Sequence, residues 1–228
     1  MAETASKLRD VLRSGCSTLG INLTSQQETA LLNYLELLDK WNRTYNLSAV
    51  RDIEQMVVRH ILDSIAVAEH VSGSRVADVG TGAGLPGVPL AIVKPQVQFS
   101  LLDSNGKKTR FLFQVKRALG LDNMHVHKQR VQDFQPAEPV DAITSRAFAS
   151  LSDMVAACGH MLASKGRFLA MKGSYPEQEL AVLSSRYRVL AVHSLAVPGL
   201  DEQRHLVEIA ARNEGKDVDI GEAESCRG

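Results

Sequence analysis

The sequence predicts an α/β protein: a doubly wound, mostly parallel sheet of seven strands preceded by a helical N-terminal extension. Three observations carry this. Apolar residues recur at helical spacing through the first part of the chain. From Arg75 onward, short apolar runs alternate with helical patterns, as in sheets covered by helices on both faces. A glycine-rich turn joins the first such run to its helix.

The elements follow in order. Thr24 or Ser25 suits a helix N-cap, with Gln27 or Glu28 as capping-box partner. Leu31, Tyr34, Leu35, Leu38 and Trp41 then share one helical face. Asp52, with Gln55 three residues later, opens a helix whose face carries Ile53, Val57, Ile61, Ile65 and Ala68. The turn Ser72-Gly-Ser74 ends this section, which sets the extension at 1–73. Strands are expected at 75–79, 98–103, 124–126, 140–144 and 166–171, and helices at 85–93, 107–119 and 151–163. The runs 188–197 and 205–210 suit an antiparallel pair at one edge. The sheet domain is thus set at 74–211, and the polar tail 212–228 is expected to be disordered because it has little to bury.

Composition narrows the function classes. Hydrophobic residues make up 44% and charged residues 23%, as in an ordinary soluble domain. No run approaches the roughly 18 apolar residues of a membrane span. The first residues mix acid and base without an apolar signal core, so a cytoplasmic protein with no membrane partner is expected. The three cysteines, Cys16, Cys158 and Cys226, show no short spacing and read as incidental thiols. The seven histidines form no ligand motif; His125 and His127 share a strand face without a visible third ligand, so no metal is expected.

The 26 basic and 26 acidic side chains cancel. A protein that coats nucleic acid non-specifically is usually basic, so any RNA contact must rest on local positive charge; no DNA partner is expected. Basic clusters occur at Lys107, Lys108 and Arg110, at Lys116 and Arg117, and at Lys128 and Arg130. On composition alone these are solvated helix faces. A monomer is expected.

The turn Val76-Ala-Asp-Val-Gly-Thr-Gly-Ala-Gly-Leu-Pro-Gly87 is a ligand loop. Glycine admits positive backbone angles and close ligand approach, and the following helix start offers unpaired N–H groups. Which ligand stays open. Gly82-x-Gly84-x-x-Gly87 satisfies the dinucleotide fingerprint, and Asp103 lies 21 residues past Gly82, where a ribose-binding acid belongs. Counted from Gly80, however, the third glycine of that fingerprint falls on Leu85. Asp78 would also oppose a pyrophosphate while attracting an ammonium or sulfonium. These features favour a methyl donor and leave a nicotinamide oxidoreductase as competitor. Asp103 either accepts ribose hydroxyls or caps the helix starting near Asn105.

Seven segments together resemble one family. They are Lys40-Trp-Asn-Arg-Thr-Tyr-Asn-Leu47, Arg59-His-Ile-Leu-Asp-Ser64, the glycine loop with Leu85-Pro-Gly87, Leu102-Asp-Ser104 with Lys107-Lys108, Ser145-Arg-Ala-Phe-Ala149, Met171-Lys-Gly173 and Gln203-Arg-His-Leu206. In this order they resemble the bacterial small-subunit ribosomal RNA guanine-N(7) methyltransferases, also called glucose-inhibited division protein B. Ala83 stands where some members have proline. The resemblance implies a class I S-adenosylmethionine-dependent methyltransferase fold, with 16S ribosomal RNA in the small subunit as substrate and partner.

It also implies site residues. Asp78, Gly80, Thr81, Gly82 and Leu85 would surround S-adenosyl-L-methionine, with Asp103 and Ser104 at the ribose and Val131 and Gln132 at the adenine. Arg146 would complete the site, orienting the cofactor or contacting the guanine oxygen. Phe148 is either a stacking platform for the base or a core residue. Arg59, His60, Lys172, Arg204 and His205 are expected at the RNA; without the resemblance, Arg59 would simply pair with Asp63 one helical turn away. Guanine N(7) carries a free lone pair, so no general base is required. This agrees with the lack of an Asn-Pro-Pro-Tyr motif or a cysteine just after the fourth strand. A non-catalytic ribosome-binding factor on the same fold remains the third possibility.

Overall fold

The computed structural model describes residues 2–146 and 148–212. Helix α1 (Ala2–Thr18) leads to α2 (Ser25–Tyr45), whose start is set by Thr24. The Thr24 hydroxyl accepts the Gln27 N–H at 3.2 Å, and the Gln27 side chain accepts the Thr24 N–H at 3.0 Å. This capping box satisfies two helix-end donors reciprocally. Leu31, Tyr34, Leu35 and Leu38 are fully buried along one face, as expected. Asn46 ends the helix in the left-handed conformation.

Asp52 caps α3 (Ile53–Met56), accepting the Gln55 N–H at 2.8 Å. The helix does not run on regularly. It widens into a π-helical segment, Val57–Leu62, then returns to α4 (Asp63–Ile65) and a single tight turn, Ala68–His70. A π segment interrupts the ordinary helical ladder and re-aims the side chains it carries, here Arg59 and His60.

The sheet has seven strands in the order β3-β2-β1-β4-β5-β7-β6. They are β1 (Arg75–Val79), β2 (Gln98–Leu102), β3 (Met124–His127), β4 (Val140–Ser145), β5 (Leu162–Lys172), β6 (Tyr187–Ser194) and β7 (His205–Ala211). Strands β1 to β5 pair in parallel, and β7 runs antiparallel between β5 and β6. The chain therefore reverses its winding between β1 and β4, where ligands bind in open α/β sheets.

Two cores follow from the two-residue strand period. Val76, Phe99, Leu101, Leu169 and Leu206 face α5 (Gly87–Val93), α6 (Gly106–Leu119) and the N-terminal helices in one continuous cluster. Ala77, Val79, Ile143, Phe168 and Ile209 face α7 (Leu151–Cys158) in the other. Trp41 of α2 meets Phe111 of α6 at 5.6 Å between ring centroids, so the extension rests on the outside of the helix layer.

Several boundaries differ from expectation, and β6 ends at Ser194 rather than 197. Helix α7 stops at Cys158, and β5 starts at Leu162 rather than 166. The intervening turn buries Met161 in the second core, which ends the helix early. Helix α5 starts at Gly87, after a cis Leu85–Pro86 bond, so Pro86 precedes the helix. A short helix α8 (Glu177–Ala181) was not expected. Beyond Arg212, the tail expected to be disordered lies outside the described residues.

Thr24→Ala should lower stability by about 1 kcal/mol through loss of the cap, read as a reduced urea midpoint with unchanged denaturant slope.

Candidate methyl-donor site

At the winding reversal, a cavity of about 420 Å³ opens beside the glycine loop. Val79, Gly80, Leu102, Asp103, Ser104, the segment 129–132 and Phe148 line it. Between β3 and β4 the chain forms one tight turn, Val131–Asp133, in place of a long helix, and this leaves the cavity open.

The loop is held from beneath by Asp78, which is 0% exposed. Its Oδ2 accepts the Thr81 hydroxyl at 2.6 Å and the Gly87 N–H at 2.8 Å. Burial pushes this carboxyl up to about 6, although the two hydrogen bonds and nearby Arg146 oppose the shift. Oδ1 is buried without a hydrogen-bond partner. A Cβ at residue 87 would lie 2.6 Å from Asp78 Oδ2, so only glycine fits. Asp78 and Thr81 thus shape the loop from within and do not line the cavity.

Gly80, Gly82 and Gly84 all have positive φ, at 67°, 62° and 94°. The Gly80 and Thr81 N–H groups donate to Leu102 O, tying the loop to the end of β2. Gly82 N–H donates to Asp103 Oδ2 at 3.0 Å, and Asn105 N–H to Asp103 Oδ1 at 2.8 Å. Lys108 Nζ stands 3.4 Å from Oδ2. A carboxylate has about four acceptor positions, so capacity remains on the cavity side. The α6 cap is Asn105, which accepts the Lys107 N–H at 2.9 Å, and Asp103 is therefore not spent as that cap.

This arrangement answers the dinucleotide question. A dinucleotide site presents the helix N-terminus to a pyrophosphate. Here the leading N–H of α5 is already given to a buried carboxylate whose charge repels phosphate.

Of the residues expected at the donor, Gly80, Asp103, Ser104, Val131 and Gln132 come together around the cavity. Leu85 is buried in the first core with the N-terminal helices, and Gly82 reaches the site through Asp103. Phe148 lines the cavity while packing on the second core.

Arg146 follows β4 and is held by Asp63, with Nη1 3.2 Å from Oδ2. Asp63 is 2% exposed and also takes Arg204 Nε at 3.0 Å. Arg204 continues to Glu202, which binds Arg59 through both oxygens at 2.7 and 3.0 Å. Hydrogen bonds from Arg59 and Arg204 lower the Glu202 carboxyl to about 2. Arg59 therefore pairs with Glu202, not with Asp63, because the π segment turns it towards the β6–β7 connection.

The expected RNA contacts need correction. His60 is 4% exposed, bonded to the Ser48 hydroxyl at 2.7 Å, and held neutral by burial at about 4. It faces the interior and not a nucleic acid. Lys172 is largely buried against Glu179 at 2.8 Å, and His205 contacts Gly173 O at 3.4 Å. Internal partners thus engage both groups, Lys172 through α8 and His205 through the start of the turn after β5.

Two contacts escaped the sequence analysis. The buried Tyr34 hydroxyl donates to Ala83 O at 2.7 Å, and Ser145 Oγ donates to Val79 O at 2.7 Å. A hydroxyl within an otherwise apolar helical face was the available signal for Tyr34.

A doubly wound sheet with its last strand inserted antiparallel, and this loop at the reversal, define the class I S-adenosylmethionine-dependent methyltransferase fold. The solved glycopeptide N-methyltransferase MtfA, complexed with S-adenosyl-L-methionine, shares the fold at a TM-score of 0.58 and 12% identity, over 68% of this chain and 88% of that one. The family model for GidB, rRNA small subunit methyltransferase G, matches residues 27–207. The ribosomal RNA small subunit methyltransferase G of Saccharophagus degradans is 51% identical over 203 residues, covering 89% of this chain and 91% of its own. The Escherichia coli K12 counterpart is 53% identical over 192 residues, covering 84% and 93%. The chain belongs to the rRNA small subunit methyltransferase G family.

Asp78→Ala should cost about 1–3 kcal/mol, because the Gly87 N–H and Thr81 hydroxyl lose their acceptor. Asp78→Asn should isolate the charge. Asp78 binds its proton more tightly folded than unfolded, so its contribution is fully present below the unfolded carboxyl's 3.8 and lost as pH rises through about 6. Wild type should therefore gain stability relative to Asp78→Asn between about pH 6 and about pH 4, read by urea unfolding at each pH.

Proposed function

We propose that this chain transfers the methyl group of S-adenosylmethionine to N(7) of a guanine in 16S ribosomal RNA of the small subunit. The observation that carries the donor half is the loop itself. Its helix start is closed to phosphate by Asp78, while Asp103 faces the cavity with accepting capacity left. The RNA half rests on family membership, since the relatives are named as methyltransferases of small-subunit ribosomal RNA.

Bound S-adenosylmethionine supplies an already activated methyl group. Because guanine N(7) needs no deprotonation, the protein's task is alignment, and no general base is assigned. Gly80, lacking a side chain, lets the donor approach the end of β1. Asp103 accepts ribose hydroxyls, beside Ser104. Val131 and Gln132 flank the adenine, with Phe148 closing the same wall.

Arg146 orients the donor or contacts the guanine oxygen. Its usual bidentate contact would occupy N(7), which must stay free. The Asp63 carboxylate fixes the guanidinium and limits its reach. Arg59 and Arg204 lie on the same ionic strip, where phosphates compete with Glu202 for them.

Three outcomes test this. Labelled S-adenosylmethionine offered with small subunits from cells lacking the protein should place one methyl on a 16S guanine; unlabelled RNA would leave only a binding factor. Asp103→Ala should weaken S-adenosylmethionine binding by more than about tenfold in calorimetry, the cost of about 1.4 kcal/mol of lost hydrogen bonding. Arg146→Ala should cut methyl transfer by about a hundredfold, far more than its unfolding midpoint falls, because Asp63 keeps Arg204 as a partner. Undiminished transfer would remove Arg146 from the site.

A further inference from the structure

The edge of the sheet carries a cluster that the donor site does not use. His70 ends the turn after α4, His193 lies on β6 and Glu208 on β7. The residues are 138 and 15 apart in sequence, which is why no ligand spacing reveals them. One ligand atom from each falls within 4.8 Å of the others. His70 Nδ1 and His193 Nε2 converge on the same oxygen, Glu208 Oε1, at 3.1 and 3.0 Å.

We infer that His70, His193 and Glu208 form a binding site for a divalent transition-metal ion, zinc being the suitable probe. Zinc bonds of about 2.0–2.2 Å to nitrogen and oxygen put neighbouring ligand atoms about 3.3 Å apart in a tetrahedron. The two nitrogen-to-oxygen spacings need to open by only a few tenths of an ångström, and the two nitrogens lie within 4.8 Å of each other. Two imidazoles and one carboxylate also match the ligand preference of this metal class.

The surroundings agree. Arg167 Nη1 binds the other Glu208 oxygen at 2.9 Å, orienting the carboxylate. Glu69 Oε1 stands 3.5 Å from His70 Nε2, the arrangement that orients a ligating histidine from its far side. Both nitrogens of His70 face carboxylates, and a metal ion between Nδ1 and Glu208 Oε1 suits that arrangement. His193 is about one third exposed, so an ion can enter. Occupied, the site would staple the end of the N-terminal extension to β6 and β7.

The test uses the full-length, tag-free, metal-stripped protein. Titration with zinc chloride against a chromogenic chelator at neutral pH should show one ion per chain and a raised Tm. Affinity should fall at about pH 5, where protons compete for imidazole. His193→Ala, and independently His70→Gln, should each weaken zinc binding by more than about tenfold and abolish the Tm rise, leaving S-adenosylmethionine binding intact. The inference is overturned by no binding at one equivalent, or by zinc binding that both variants keep.

Discussion

The ligand loop of this protein is organised around one buried carboxylate. Asp78 lies at the end of β1 with no exposed surface, and burying a charge there is costly. The cost is offset by the Thr81 hydroxyl and the leading N–H of α5, donated by Gly87. Each bond turns part of the loop inward. What remains on the outer side is Gly80 against the cavity and the Gly82 N–H aimed at Asp103. The same carboxylate that shapes the turn also decides its ligand class, because it consumes the donor that a pyrophosphate would require and supplies a charge of the wrong sign.

The N-terminal extension is part of this site and not an appendage to it. Tyr34 of α2 donates to Ala83 O within the loop, and Asp63, after the π segment, holds Arg146. Both contacts rest on a core shared by the extension and the α5–α6 layer, in which Leu31, Leu35, Ile61 and Phe111 are wholly buried. Loosening the extension would therefore move the loop and free Arg146 together. Asp63 carries two arginines at once, so the orientation of Arg146 is coupled to Arg204 and, through Glu202, to Arg59.

Much of this was legible from local pattern. Thr24 with Gln27 and Asp52 with Gln55 announced their helices because a cap is chemistry between residues two or three apart. Strands β1 to β4 were legible from apolar runs bounded by turn residues. The early end of α7 was not, because Met161 follows the helix into the second core and packing overrides propensity there. The π segment was also hidden, since Ile53, Val57, Ile61 and Ile65 keep a spacing of four in either geometry. At the site, Gly80 and Asp103 were legible by position at strand ends. Asp78 was legible as important, but its direction was not.

By itself, then, the sequence determined the alternation of elements, the reversal point where a ligand binds and the family, all of which rest on residue types at short spacing. Tertiary structure decided which charges stay available. Arg59 lies 143 residues from Glu202, Asp63 lies 141 from Arg204, and His60 turns inward to Ser48. Such pairings depend on how distant loops close over one another. How far a charged side chain can reach a ligand depends on the internal partners that folding gives it, and no local pattern records those partners.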